Sequence, residues 1–204
     1  MFKDIDIGLL HCDVCELAKH KRVPFPISNK KMSFPFHLIH SDVWGPSTVS
    51  NISGARWFVL FIDDCTRMSW VFLLKNKSDV TSTFKNFFFM IKTQFDVEFK
   101  RVRSDNAKDY FNHDLSSFFI EKGIIHESSC VYTPQQNGVA ERKIGHLLAT
   151  TRAFLFQNQV PKSYWGEAVL TAAHLINRLP SKVLDHKSSV DVFSSFSAYK
   201  PACS

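Results

Sequence analysis

The succession of apolar patterns in this 204-residue chain predicts an α/β fold, a sandwich of helices around a mixed five-stranded sheet. Three observations carry that reading. Short β-prone runs alternate with helical stripes in the order strand, hairpin, helix, strand, helix, strand, helix, helix. The hairpin supplies antiparallel pairing, and crossovers through helices supply parallel pairing. The composition, 45% hydrophobic with 20 Phe, provides enough apolar surface for a core and argues against a disordered chain.

Each element has its own signal. From Phe34, the residues Phe36, Leu38, His40, Asp42 and Trp44 alternate with His37, Ile39, Ser41 and Val43, a strand apolar on both faces with Asp42 near its end. Trp57 to Ile62 and Met68 to Leu74 are β-prone runs joined by Asp63-Asp64-Cys65-Thr66-Arg67, a hairpin whose two acids read as turn residues rather than ligands. Phe84, Phe87, Phe88, Ile91 and Phe95 recur at helical spacing over about 78–95. Such a stripe could stack on bases, but its period favours packing against the sheet. Residues 97–104 read as a strand that delivers Asp105 at its end. Leu115 to Lys122 form a short helix that Gly123 stops, and Ile124-Ile125-His126 is a short strand.

Thr133-Pro134-Gln135-Gln136 resembles a capping box, yet Asn137-Gly138 weakens the next turn, so the regular helix is expected after Gly138. There Ala140, Ile144, Leu147, Leu148, Thr151, Phe154 and Leu155 line one face, with Glu141 on its margin. A last helix covers about Ser163 to Leu179. The expected domains are an appendage over 1–31, a core over 32–180 and a Ser-rich, weakly patterned tail over 181–204.

Lys and Arg number 25 against 19 Asp and Glu, a net charge of +6 with pI near 9.1, which favours a polyanionic partner. Positive charge gathers at Lys19-His20-Lys21-Arg22, Lys30-Lys31 and Lys100-Arg101-Arg103. Five scattered Cys suggest no disulfide framework. The amino-terminal stretch lacks a signal-peptide core, and the longest clean apolar run, Trp57 to Ile62, is far too short to span a bilayer. These features predict a soluble, non-secreted protein of a reducing compartment, with no membrane partner.

Three acids sit in distinctive polar contexts: His40-Ser41-Asp42-Val43-Trp44-Gly45, Arg103-Ser104-Asp105-Asn106, and Gln135-Gln136-Asn137-Gly138-Val139-Ala140-Glu141-Arg142-Lys143. Sixty-two residues lie between Asp42 and Asp105, room for the hairpin and a crossover helix, so the first and fourth strands can lie side by side with both acids at one end. Thirty-five more carry a helix and an edge strand before Glu141 returns to that end. Clustered carboxylates repel, and at least one takes up a proton unless cations intervene. Hard cations such as Mg²⁺ take oxygen ligands, and phosphoryl transfer commonly uses a pair of them.

With these motifs, the chain resembles the integrase region of copia-type LTR-retrotransposon polyproteins. Further matching stretches are Cys12-Asp13-Val14-Cys15-Glu16-Leu17-Ala18-Lys19, Phe61-Ile62-Asp63-Asp64, Tyr132-Thr133-Pro134 and Pro161-Lys162-Ser163-Tyr164-Trp165, so the likeness covers nearly all of residues 8–190. The resemblance implies a ribonuclease H-like three-layer fold and a polynucleotidyl transferase that trims the 3′ ends of element DNA, then joins them to target DNA. It implies Asp42, Asp105 and Glu141 as the catalytic acids, holding two Mg²⁺ or Mn²⁺ ions. Arg142, Lys143, Gln136 and Asn137 become DNA contacts, and the enzyme would work as a homo-oligomer in a nucleoprotein complex, in the nucleus or a cytoplasmic particle. Cys12 and Cys15 match half of the family's zinc module, so Zn²⁺ would bind only with upstream His ligands. His11 is not a match.

The chain also departs from the family's pattern. Ala107 and Lys108 stand where two glycines usually follow Asp105-Asn106, and Ile144 and Gly145 replace polar and basic residues. These changes point to the alternative, an inactive nucleic-acid-binding remnant or domesticated fragment. A structure-specific nuclease would share the fold but not the Gln135-to-Lys143 motif.

Overall fold

The structure, a computed structural model, describes residues 31–105, 110, 112–128 and 137–196. Cys12, Cys15, Ala107, Lys108 and Gln136 lie outside the described residues. Five strands, β1 (Leu38–Trp44), β2 (Trp57–Asp63), β3 (Ser69–Leu74), β4 (Arg101–Ser104) and β5 (Ile125–Ser128), form one sheet in the order β3-β2-β1-β4-β5. β1 pairs antiparallel with β2 and parallel with β4, and β5 extends the parallel side. The first and fourth strands are therefore neighbours, as the spacing of the acids allows.

Alternation along the strands divides the core in two. On one face Ile39, Val59, Phe61 and Val102 meet Phe84, Phe87, Phe88 and Ile91 of α1 (Val80–Phe95) and Leu115, Phe118 and Phe119 of α2 (His113–Lys122). The Phe stripe is thus core: Phe87 stacks on Phe61 with ring centroids 4.4 Å apart, and Phe84 meets Phe99 and Phe119 edge-on. On the other face Phe58, Leu60 and Ile62 lie under Ala140, Ile144 and Leu147 of α3 (Gly138–Gln157) and Trp165, Val169, Ala172 and Ile176 of α4 (Trp165–Arg178). The interior strand β2, covered on both sides, is apolar almost throughout. The helix of α2 is bounded as its sequence demands: the Asn112 side chain accepts the Leu115 N–H, and Gly123 closes the end at φ 65°. Among the described residues no helix is long and apolar enough to cross a membrane.

The structure differs from the sequence reading in three places. β1 begins at Leu38 rather than Phe36, because Phe36 adopts φ 62° and its N–H turns to the Asp63 carboxylate instead of a ladder. β4 begins at Arg101 rather than residue 97: α1 ends on Asp96 at φ 54°, and the chain first drives Phe99 into the core. Beyond Ser181, where the pattern is weak, the chain continues into a 3₁₀ turn, Lys182–Leu184, and a helix, α5 (Ser189–Phe196). Phe193 of α5 meets Phe36, Phe95 and Trp70 edge-on. A capping box marks the start of that helix, with Ser188 Oγ and Asp191 exchanging hydrogen bonds.

Candidate active site

Strand alternation sends Ile39, Ser41 and Val43 toward α1 and α2, and His40, Asp42 and Trp44 toward α3 and α4. Asp42, half-buried in β1, accepts the Val43 N–H at 2.8 Å. Asp105 directly follows β4, the parallel neighbour of β1, so both acids emerge at the same edge of the sheet. Glu141 is exposed in the first turn of α3. The Asp42 carboxyl is pushed up to about 7, first by burial, then by the charge of Asp105; the Val43 N–H opposes this, Glu141 adds to it, and Lys77 opposes it. The three predicted acids therefore share one electrostatic field. Among the described residues, no group of three or more His, Cys, Asp or Glu side chains is assembled as a finished ion cage.

Buried polar groups hold this edge in place. Ser41 occupies a core-facing position between Ile39 and Val43, where a hydroxyl needs a partner. It hydrogen-bonds the Tyr110 hydroxyl, and Tyr110 is fully buried. Asn137, also fully buried, donates from Nδ2 to the Ser41 carbonyl at 3.3 Å and so ties the start of α3 to the strand that bears Asp42. The sequence reading missed Tyr110 and gave Asn137 an outward part. The readable signal was the serine itself, a polar residue on the apolar face of a strand. On β4, the Ser104 hydroxyl is shared between the Asp105 carbonyl and His126 Nε2.

The two implied basic contacts are placed differently. Arg142 is exposed, whereas Lys143 is half-buried beside Arg67. Burial, helped by the Arg67 charge, lowers the Lys143 ammonium to about 8. The turn acids are fully employed in structure. Asp63 accepts the Phe36 N–H at 2.7 Å and both the N–H and hydroxyl of Thr66. Asp64 accepts the Met32 N–H, pairs with buried His40 at 2.9 Å and lies 3.1 Å from Arg67.

Residues 33–134 match the integrase core domain family, and that region holds the whole sheet together with Asp42 and Asp105. The chain belongs to the integrase core domain family. Among curated relatives of this integrase core, the retrovirus-related Pol polyprotein from transposon TNT 1-94 of Nicotiana tabacum is 40% identical over 170 residues, 83% of this chain. That from transposon RE2 of Arabidopsis thaliana is 37% identical over 180 residues, 88% of this chain. The chain spans only 13% and 12% of those relatives' lengths. Its fold is ribonuclease H-like. A simian T-cell lymphotropic virus intasome chain superposes with TM-score 0.65 at 16% identity, over 86% of this chain and 59% of that one. The HTLV-2 integrase catalytic core domain in complex with magnesium gives 0.58 at 16% identity, over 78% of this chain and 97% of that one.

Proposed function

We propose that this integrase core is a metal-dependent polynucleotidyl transferase acting on DNA, with Asp42, Asp105 and Glu141 as its catalytic acids. One observation carries the reading: acids from three separate elements act on one another at one end of the sheet, where burial, then the charges of Asp105 and Glu141, push the Asp42 carboxyl up to about 7. The donor set fits a hard divalent cation, since all three groups offer carboxylate oxygen. The open arrangement also fits Mg²⁺, which keeps several waters and is commonly bound through one or two carboxylates.

Asp42, Asp105 and Glu141 would hold the cations. Bound there, divalent ions lower the pKa of an attacking water or hydroxyl and stabilise the leaving oxygen. The chain supplies position and charge, so no nucleophilic side chain is needed. Asn137, through the Ser41 carbonyl, fixes the separation of Glu141 from Asp42. Arg142, exposed one residue after Glu141, is in place to contact a backbone phosphate. The two joined activities, 3′-end processing and strand transfer, and assembly as an oligomer on DNA complete the proposal.

The test combines activity with a binding readout. Mn²⁺ should raise the melting temperature of the wild type by mass action and support strand transfer between oligonucleotides. Asp105→Asn should lose both while remaining folded. A metal response that persists in Asp105→Asn would put the cation elsewhere and remove the triad assignment.

A further inference from the structure

On the far side of α3 from Glu141 lies a cavity of about 280 Å³ that the metal reading does not use. Residues 141 and 143 are two apart on a helix, about 200° around its axis, so Lys143 turns away from the acids. Arg67 from the β2–β3 turn and Arg142, Lys143 and His146 from α3 all line the cavity. The positive charges of Arg67, Arg142 and Lys143 around one concavity repel one another unless something anionic lies between them. Among the described residues, the only carboxylate paired to any of them is Asp64, which already serves His40 and the Met32 N–H.

Arg67 makes the imbalance concrete. Its Nη1 lies 3.1 Å from Asp64, yet Nε and Nη1 are buried without a hydrogen-bonded acceptor. A guanidinium buried with unsatisfied N–H groups costs free energy that an acceptor in the cavity would recover. Its backbone is also costly, since Arg67 sits at φ 60°, where glycine would be easier. Leu179, Pro180 and Val183 add apolar lining, and Ser181 and Ser189 add hydroxyl-bearing residues. The volume exceeds that of a bare phosphate and falls just under the lower end of small-molecule sites, about 300 Å³.

We propose that the cavity formed by Arg67, Arg142, Lys143 and His146 is a binding site for a phosphate group carried on a sugar-sized body. That group has two sources, a backbone phosphate of DNA or a free sugar phosphate. The site shares Arg142 with the proposed DNA contact but uses none of the three acids, and it does not depend on cations there.

Calorimetry on the whole chain decides it, with ribose 5-phosphate as the probe and ribose at matched ionic strength as the control. Saturable binding of the phosphate and none of ribose is expected. Lys143→Met removes a base, and Val183→Glu sets a carboxylate at an exposed rim position; each should weaken binding about tenfold or more. If Lys143→Met does not fold, Val183→Glu decides alone, because Val183 is 56% exposed and tolerates change. A duplex oligonucleotide that displaces ribose 5-phosphate identifies DNA backbone as the source. A duplex that binds alongside it identifies the free sugar phosphate. Heat no larger than that of ribose, or equal affinity in wild type and Val183→Glu, overturns the site.

Discussion

Two groups of acids flank the same strand, and they are built in opposite ways. Asp63 and Asp64, at the turn beside the start of β1, receive hydrogen bonds from Phe36, Thr66, Met32 and His40, and Asp64 faces Arg67. Asp42, toward the other end, has one backbone N–H and two acids as neighbours. The contrast shows in charge. Burial pushes Asp64 up, but the His40 bond, Arg67 and the Met32 N–H outweigh it and hold the group below its ordinary value. For Asp42, burial and the Asp105 and Glu141 charges outweigh the Val43 N–H and Lys77, and the group rises to about 7. Asp63 is intermediate: burial raises it despite the Thr66 and Phe36 donors. Asp63 and Asp64, whose oxygens are taken up by the protein, hold the chain together, whereas Asp42 lies half-buried among like charges.

The largest expected effect separates these roles by deletion. Asp63→Ala should strip acceptors from two buried N–H groups and a hydroxyl, costing about 3 kcal/mol or more. Asp42→Asn should cost little, or should stabilise the metal-free protein by removing a repelling charge. Denaturant titration of both variants in EDTA checks this, and a large loss in Asp42→Asn would erase the distinction.

A smaller effect is the opposite pH dependence of the two groups. The depressed Asp64 contributes stability that is present above its unfolded pKa near 3.8 and is lost as pH falls through the lower folded value. The raised Asp42 contributes stability that is full below 3.8 and is lost as pH rises through about 7. Metal-free Asp42→Asn should therefore match wild type near pH 4 and gain over it above about pH 7. The deficit of Asp64→Asn should shrink as pH falls below about 4. Melting curves across that range test both signs.

The smallest effect concerns the helix that carries the third acid. Gly145 lies mid-α3, and a Cβ there meets nothing within 4 Å. Gly145→Ala should stabilise by about 1 kcal/mol, raising Tm by about 2–4 °C. No change would mean that α3 is held by its tertiary contacts alone.

The fold was legible because it is written in local periods. The Phe84-to-Phe95 stripe, the two-sided apolar character of β2 and the Gly123 stop each declare an element without reference to the rest of the chain. That Asp42 and Asp105 come out at one end of the sheet was legible for a related reason, since each sits in a short motif on one of two adjacent parallel strands.

What the tertiary structure alone decided are the pairings. A sequence states that Asn137 and Lys143 are polar, but not that one is sealed against the Ser41 carbonyl and the other turned toward Arg67. Nor does it show that Phe193, in a weakly patterned stretch, finds Phe36, Phe95 and Trp70. Local pattern sets which face of an element is apolar. Which distant residue covers that face, and which buried polar group finds an acceptor, depends on contacts between segments far apart in the chain, and only the folded structure supplies them.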